Sequence, residues 1–347
     1  MIFLVLLFVL LVVAAVGYLL ARRIIATAFG SRCEGTPGAK YFQASDFEGL
    51  DTVPVSFQSM QNEQLRGFFY TSRLWEGAPR GILIWVHGMG GGHTAYTTEI
   101  NTFAKAGYQV LGYDNTGTML SDGPALRGLP QALQDLSSAY DYVRANNPAD
   151  LPIYLAGHSW GAYAVCAFLQ LGKPVDGVIA LSPMENPVTV MAALASQTTG
   201  KKLGFLKPFL FACTLADFGQ YALYRPSYGL QRTKTPVLLM HGTQDTTVPE
   251  SLSPLAFRTF FEKNPAVQIL LVPGKAHNVY VTAAAQQAML DYFEAYTRLK
   301  AQYNGNPPAI AEERFIESGD FRKMTEEDPD IIRMLLEFLE KIPKKEG

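Results

Sequence analysis

One stretch constrains this chain more than any other. An apolar run at residues 152–156 leads into Gly157-His158-Ser159-Trp160-Gly161, and a helix-forming run at residues 162–171 follows at once. Strand, sharp turn and helix in succession is the context in which a G-x-S-x-G sequence carries chemical meaning. Such a turn lifts Ser159 clear of both elements, leaving its hydroxyl open to a base on one side and a substrate on the other. A serine hydroxyl at its ordinary pKa is a poor nucleophile and needs that base. Gly157 and Gly161 suit the turn because side chains there would collide with the neighbouring strand and helix. A glycine-rich turn that merely contains serine would satisfy the same five letters, so the rest of the chain has to decide.

Short apolar runs and helical stretches alternate on either side of this pentapeptide. Strands are expected at residues 81–86, 108–113, around Ile153, and at 175–181, 236–240 and 267–272. Helices are expected at 94–106, 129–146, 162–171, 251–263 and 282–300. Within 129–146, Leu133, Leu136, Tyr140 and Val143 fall on one helical face. The run at 81–86 has no polar alternation, the pattern of a strand buried on both faces of a parallel sheet. Residues 53–58 and 64–70, split by a short polar turn, read as a hairpin in front. The fold class is therefore α/β: a mostly parallel central sheet with helices on both faces.

With 347 residues, 48% hydrophobic and 17% charged, the chain has ample material for a core. Its net charge of −2 and the lack of a long basic run exclude nucleic acid as an expected partner. Cys33, Cys166 and Cys213 are scattered and odd in number, supporting neither a disulfide framework nor a zinc site. Residues 2–21 are uncharged and mostly Leu, Val and Phe, long enough for a helix to cross a bilayer, which takes about 20 residues. A secretory signal normally opens with a basic region, and here the first residues are Met-Ile-Phe-Leu, although Ala15-Val16-Gly17 could pass as a cleavage site. Arg22, Arg23, Arg32 and Lys40 follow the span, which by the positive-inside bias places the remainder in the cytoplasm.

The expected organisation is a transmembrane anchor at 1–21, a juxtamembrane linker at 22–44, a catalytic domain at 45–302 and a C-terminal helical extension at 303–347. Residues 183–232 are too long for an ordinary connection between strand and helix. With Phe205, Phe209, Phe211, Phe218, Tyr221, Tyr224 and Tyr228, they read as a lid over a pocket. In the extension, Asp328-Pro329 opens a helix whose apolar face includes Ile332, Leu335, Leu336, Phe338 and Leu339.

A serine nucleophile needs a base, an acid to orient it, and donors for the oxyanion. Of five histidines, His158 adjoins Ser159 and should point away from it, while His87 and His241 end apolar runs before glycine and read as loop-fixing residues. His93 reads as a loop or helix-start residue. His277 follows the last strand and is the only one late enough for the order Ser, Asp/Glu, His. Asp245, just past the strand at 236–240, can accept from its ring; Glu185 is the second choice of acid. The oxyanion donors are expected to be the backbone N–H groups of Trp160 and Met89, the latter in His87-Gly88-Met89-Gly90-Gly91-Gly92. That glycine run meets neither phosphate-binding spacing. No metal or organic cofactor is called for.

In these motifs the chain resembles the α/β-hydrolase superfamily, and within it the monoacylglycerol lipase, lysophospholipase and serine aminopeptidase-like branch. The matching segments are His87-Gly-Met-Gly-Gly, Gly107 to Asp114, Gly157 to Gly161, His241-Gly-Thr-Gln-Asp245 and Ala276-His277-Asn278, spread over residues 50–300. The resemblance implies Ser159, Asp245 and His277 as catalytic triad and Met89 and Trp160 as oxyanion donors. One departure stands out: Met119 occupies a position after Asp114 where such proteins usually have glycine. The expected activity is that of a membrane-anchored serine hydrolase on small ester or acyl substrates, lipid-like acyl groups favoured. A serine aminopeptidase-like amidase, with Glu185 or Asp217 holding the substrate amine, is the alternative. A non-catalytic binding protein on the same fold is a third reading, disfavoured by the complete triad. Oligomeric state and physiological substrate are not legible in the sequence.

Overall fold

A computed structural model describes residues 1–343. After a long helix, α1 (Ile2–Phe29), come the hairpin strands β1 (Leu50–Gln58) and β2 (Gln64–Ser72). The alternating part comprises β3 (Gly81–Val86), α2 (Thr97–Lys105), β4 (Tyr108–Tyr113), α3 (Pro130–Ala145), β5 (Ile153–His158), α4 (Trp160–Phe168) and β6 (Gly177–Leu181). An insertion of α5 (Pro187–Thr199), α6 (Lys207–Phe218) and α7 (Pro226–Arg232) then precedes β7 (Val237–Gly242), β8 (Val267–Val272) and α8 (Ala283–Gln302). The extension adds α9 (Ala309–Glu317), α10 (Phe321–Met324) and α11 (Pro329–Glu340). The eight strands form one sheet in the order β1-β2-β4-β3-β5-β6-β7-β8, parallel from β4 through β8. The β1–β2 and β2–β4 pairings are antiparallel.

Side chains alternate across a strand, so an unbroken apolar strand feeds two cores at once. In β3, Ile82, Ile84 and Val86 join one cluster with residues of α3 and α4, while Leu83 and Trp85 join a second with Ile100 and Phe103 of α2. β5 divides in the same way, Ile153 and Leu155 to the first side and Tyr154 and Ala156 to the second. The helix α4 is buried along its whole length. That is why the run after Ser159 shows no amphipathic pattern.

Three elements differ from the sequence expectation. Helix α1 continues to Phe29, well past the apolar run, because its far half packs on the fold through Gly17, Ala21, Ile25 and Phe29. Residues 251–263 form two short 3-10 turns, Glu250–Leu252 and Pro254–Phe260, not an α-helix. Pro254 cannot continue a preceding helix, and Phe257 leaves helical geometry at φ −120°, ψ 20°. In α11 the fully buried stripe is Ile331, Leu335 and Leu339, with Ile332, Leu336 and Phe338 at its edge. This helix packs on the sheet: a Cβ on Gly177 in β6 would lie 2.4 Å from Ile342 just beyond it.

A buried contact between Asp114 and His93 ties the loops at the strand ends together. Asp114, immediately after β4, accepts from the His93 backbone N–H at 2.8 Å, from His93 Nδ1 at 2.7 Å and from the Leu120 N–H at 3.1 Å. Burial alone would raise this carboxyl's pKa, but the His93 imidazole and its hydrogen bonds win and hold it below the usual carboxylate value. A depressed folded-state pKa contributes stability that is present above the unfolded value and lost as pH falls through the folded one. Asp114→Ala is therefore expected to cost about 3–5 kcal/mol in urea unfolding near neutral pH. The gap between variant and wild type should narrow when the same titration is run below about pH 4.

Candidate active site

Ser159 sits between β5 and α4 with φ 56° and ψ −111°, a backbone region costing a non-glycine residue about 1–3 kcal/mol. The turn closes because its flanking glycines admit backbone where a side chain would stand. A Cβ on Gly161 would fall 1.9 Å from the Val86 carbonyl oxygen, and one on Gly157 would fall 2.6 Å from the Gly161 backbone. The Ser159 N–H donates to the Leu181 carbonyl of β6 at 2.8 Å, which fixes the turn to the next strand.

Asp245 follows β7 and His277 follows β8, and the two meet across the sheet's end. His277 Nδ1 lies 2.8 Å from Asp245 Oδ2. The other carboxylate oxygen accepts the N–H groups of Thr247 and Val248 at 2.9 and 2.8 Å. Burial would raise the Asp245 pKa, but the His277 hydrogen bond and charge outweigh it, so the group stays ionised. With Nδ1 donating to that carboxylate, Nε2 is left as the basic nitrogen of the ring. Ser159, His277 and Met89 all line one cavity of about 330 Å³. Trp160 is the first residue of α4, with its indole N–H donating to the Leu129 carbonyl at 2.8 Å, so its backbone N–H is what it can offer a substrate.

The remaining histidines organise loops. His87 Nδ1 donates to the Gly88 carbonyl at 2.7 Å while its Nε2 accepts the Asn115 N–H at 3.0 Å. That fixes the peptide whose N–H belongs to Met89. Burial holds His87 neutral, its pKa lowered. His241 Nε2 donates to the Val248 carbonyl at 3.0 Å, bracing the Asp245 turn. His158 points away from Ser159: its Nε2 donates to the His277 carbonyl at 3.1 Å, and its Nδ1 accepts from the Tyr96 hydroxyl at 2.9 Å. Burial, with the His277 charge adding, lowers its pKa to about 3. Tyr96 in turn accepts the Gly88 N–H at 3.0 Å. A single chain of hydrogen bonds thus joins the loop after β3, the end of β5 and the loop after β8.

The wall of the cavity corrects one expectation. Among the described residues of 183–232, read as a lid, Met184 alone lines it. The roof comes from the linker (Thr36, Tyr41, Phe42), from α8 (Met289, Phe293) and from the extension (Phe321, Met324). The insertion's helix α6 packs against α1 instead. An aromatic insertion at a strand end can cover a site or grip another element, and sequence alone does not separate the two. Glu185, the second choice of acid, accepts from the Ser227 N–H and hydroxyl, and Asp217 pairs with Arg22 at 2.5 Å; neither lines the cavity.

The linker is stitched to the site. Gly90, at φ 95°, has its carbonyl held by the Thr36 hydroxyl at 2.6 Å and the Tyr41 hydroxyl at 3.2 Å. The Arg32 guanidinium donates to the carbonyls of Met119, Ser121 and Gly123. Met119 itself adopts φ 40°, the left-handed region that glycine usually supplies. Its N–H donates to the Cys33 carbonyl at 2.9 Å, and its side chain packs against Gly92 of the glycine loop. Methionine at position 119 therefore adopts the left-handed backbone itself and fills the space between loop and linker. Thr36, Tyr41 and Tyr96 escaped the sequence reading because no motif or spacing marks a residue that acts by holding a carbonyl or a ring.

The family model described as "Serine aminopeptidase, S33" matches residues 77–216. The acylamino-acid-releasing enzyme of Rattus norvegicus is 25% identical over 217 residues, covering 58% of this chain and 29% of that protein. The chain thus spans less than a third of the length of that curated relative. Among solved structures, a Pyrococcus furiosus esterase matches with TM-score 0.54 at 18% identity, over 77% of this chain and 96% of its own. A Pyrococcus horikoshii acylaminoacyl peptidase matches with TM-score 0.53 at 16% identity, over 87% of this chain and 44% of its own. These likenesses show the α/β-hydrolase fold, and residues 77–216 are similar to the serine aminopeptidase family.

Tyr96→Phe removes the donor to His158 Nδ1 and the acceptor of the Gly88 N–H. Leaving such buried groups unpaired costs about 1–3 kcal/mol each. The variant is expected to lose about tenfold or more in kcat on an ester substrate, with KM little changed, as steady-state kinetics would show.

Proposed function

We propose that the protein is a membrane-anchored carboxylic-ester hydrolase that works through an acyl-enzyme on Ser159. The observation that carries this reading is the shared cavity. Ser159 and His277 stand on one wall, and Met184, Met289, Phe293 and Met324 supply apolar surface for an acyl chain. A volume of about 330 Å³ is at the small end for ligand pockets, which suits one chain of moderate length better than a whole lipid.

In this mechanism His277 Nε2 takes the Ser159 proton as Oγ bonds to the carbonyl carbon. The carbonyl π pair moves to oxygen, and the backbone N–H groups of Met89 and Trp160 hold the resulting oxyanion. Collapse expels the alkoxide, which takes its proton from the His277 imidazolium. Water then attacks the acyl-enzyme with His277 as base, releasing the acid and free Ser159. Asp245 keeps the ring oriented and stabilises its charged form without taking the proton.

The amidase alternative asks for a charged carboxylate to meet a substrate amine. Glu99 is the carboxyl that lines the cavity, and its burial, with Glu327 nearby, raises its pKa well above the ordinary value. A carboxyl whose charged form is disfavoured by burial is a weaker partner for a substrate amine. Anchoring rests on α1, whose residues 1–16 stand clear of the fold with apolar side chains exposed. Arg22, Arg23, Arg32 and Lys40 behind it favour a cytoplasmic catalytic domain.

A panel of p-nitrophenyl esters of increasing acyl length, run beside aminoacyl anilides, tests the reading. The expected outcome is a kcat/KM that rises from acetyl to medium-chain esters and exceeds every anilide; faster anilide cleavage would transfer the assignment to the amidase. Asp245→Asn should lower kcat on the best ester by about 10³–10⁴-fold, the scale seen when a triad acid is neutralised.

A further inference from the structure

The insertion between β6 and β7 does not roof the cavity, and its own surface is unusual. Along α6 the exposed positions are Lys207, Pro208, Phe211, Ala212, Leu215 and Ala216. Beyond the lysine at its start, that outer face carries no charge. Ahead of it the short turn Gly204–Leu206 exposes Phe205 at 66%, flanked by exposed Lys201 and Lys202. Isolated exposed apolar residues are ordinary, but a contiguous apolar helix face marks a contact surface.

What covers that face follows from how α6 lies on α1. A Cβ on Gly17 would fall 2.5 Å from the Phe209 ring, Cys213 Sγ lies 3.9 Å from the Tyr18 carbonyl, and Arg22 pairs with Asp217. Both chains ascend together, so the start of α6 lies toward the free apolar part of α1. The turn Gly204–Leu206 also touches α1. The uncharged run of α1 does not stop where this packing begins; it continues through Ala21, with Arg22 the first charge. The level of Gly17 to Ala21 is thus apolar on the anchor, and the residues packed at that level are Phe209 and its neighbours.

We propose that the tip of the insertion, Lys201 to Leu215, is a second membrane contact that enters the headgroup–acyl boundary beside the anchor. This rests on the reading of α1 as a membrane anchor. Phe205, Phe211 and Leu215 supply the apolar face, and Lys201, Lys202 and Lys207 meet anionic headgroups, the division of labour of interfacial helices. The Arg22–Asp217 pair then marks the level at which protein and anchor leave the bilayer. Two contacts fix the orientation of the domain relative to the membrane, where a single helix would leave it free to swivel.

Nitroxide depth measurements on the full chain decide the point. The chain, with Cys33→Ser, is placed in phosphatidylcholine–phosphatidylglycerol vesicles and labelled singly at Leu10→Cys, Phe205→Cys, Phe211→Cys or Leu290→Cys. Leu290 is an exposed apolar reference on α8. Labels at 205 and 211 should collide with oxygen in preference to a water-soluble nickel chelate, as at 10, with a ratio several-fold above that at 290. Labels at 205 and 211 that read as aqueous as 290, while 10 reads lipid, would overturn the second contact and leave the anchor standing. Labels at 205 and 211 shielded from both reagents would mean a protein partner covers the face, which also overturns it. An aqueous reading at 10 would instead remove the anchor on which the proposal rests.

Discussion

The His158 imidazole is the joint on which the rest of the site depends. It ends β5, yet it accepts from Tyr96 beyond β3 and donates to the His277 backbone beyond β8. It can do both only as a neutral ring with a single tautomer, and burial ensures that by lowering its pKa to about 3. Its two hydrogen bonds set the distance between the glycine loop, the Ser159 turn and the His277 loop. Those three loops carry every group the acyl-transfer mechanism calls on except Asp245, which is held to His277 directly. A rigid sheet supplies the platform, but parallel strands alone do not fix where the loops beyond them meet.

The outer parts of the chain bear on the same centre. The linker grips the glycine loop through Thr36 and Tyr41 and the Met119 loop through Arg32. The extension supplies Phe321 and Met324 to the cavity and seats α11 on the sheet. The linker and the cavity wall are therefore parts of one structure.

Much of this architecture was legible in the sequence, because unbroken apolar runs such as β3 and β5 leave a parallel, doubly covered sheet as the fitting solution. The close approach of Ser159, Asp245 and His277 to one edge follows from where each stands after its strand. Local chemistry was less legible where a proline overrode a helical pattern, as at Pro254. Roles were least legible where the same composition serves two ends. Phe209 and Phe218 lie in an insertion whose aromatic content fits a lid as well as it fits a clasp, and the cavity lining together with the packing of Phe209 on Gly17 separates the two. Tyr96 is an unremarkable tyrosine until its hydroxyl is seen between Gly88 and His158.

The central claim is that Ser159 is the residue on which acyl transfer takes place. The most direct measurement is labelling of the intact protein with a fluorophosphonate, followed by mass-spectrometric mapping of the adduct. A single phosphonyl group on Ser159, absent from a folded Ser159→Ala variant, is the predicted result. An unlabelled wild type, or an adduct on a different serine that persists in the variant, would contradict the account.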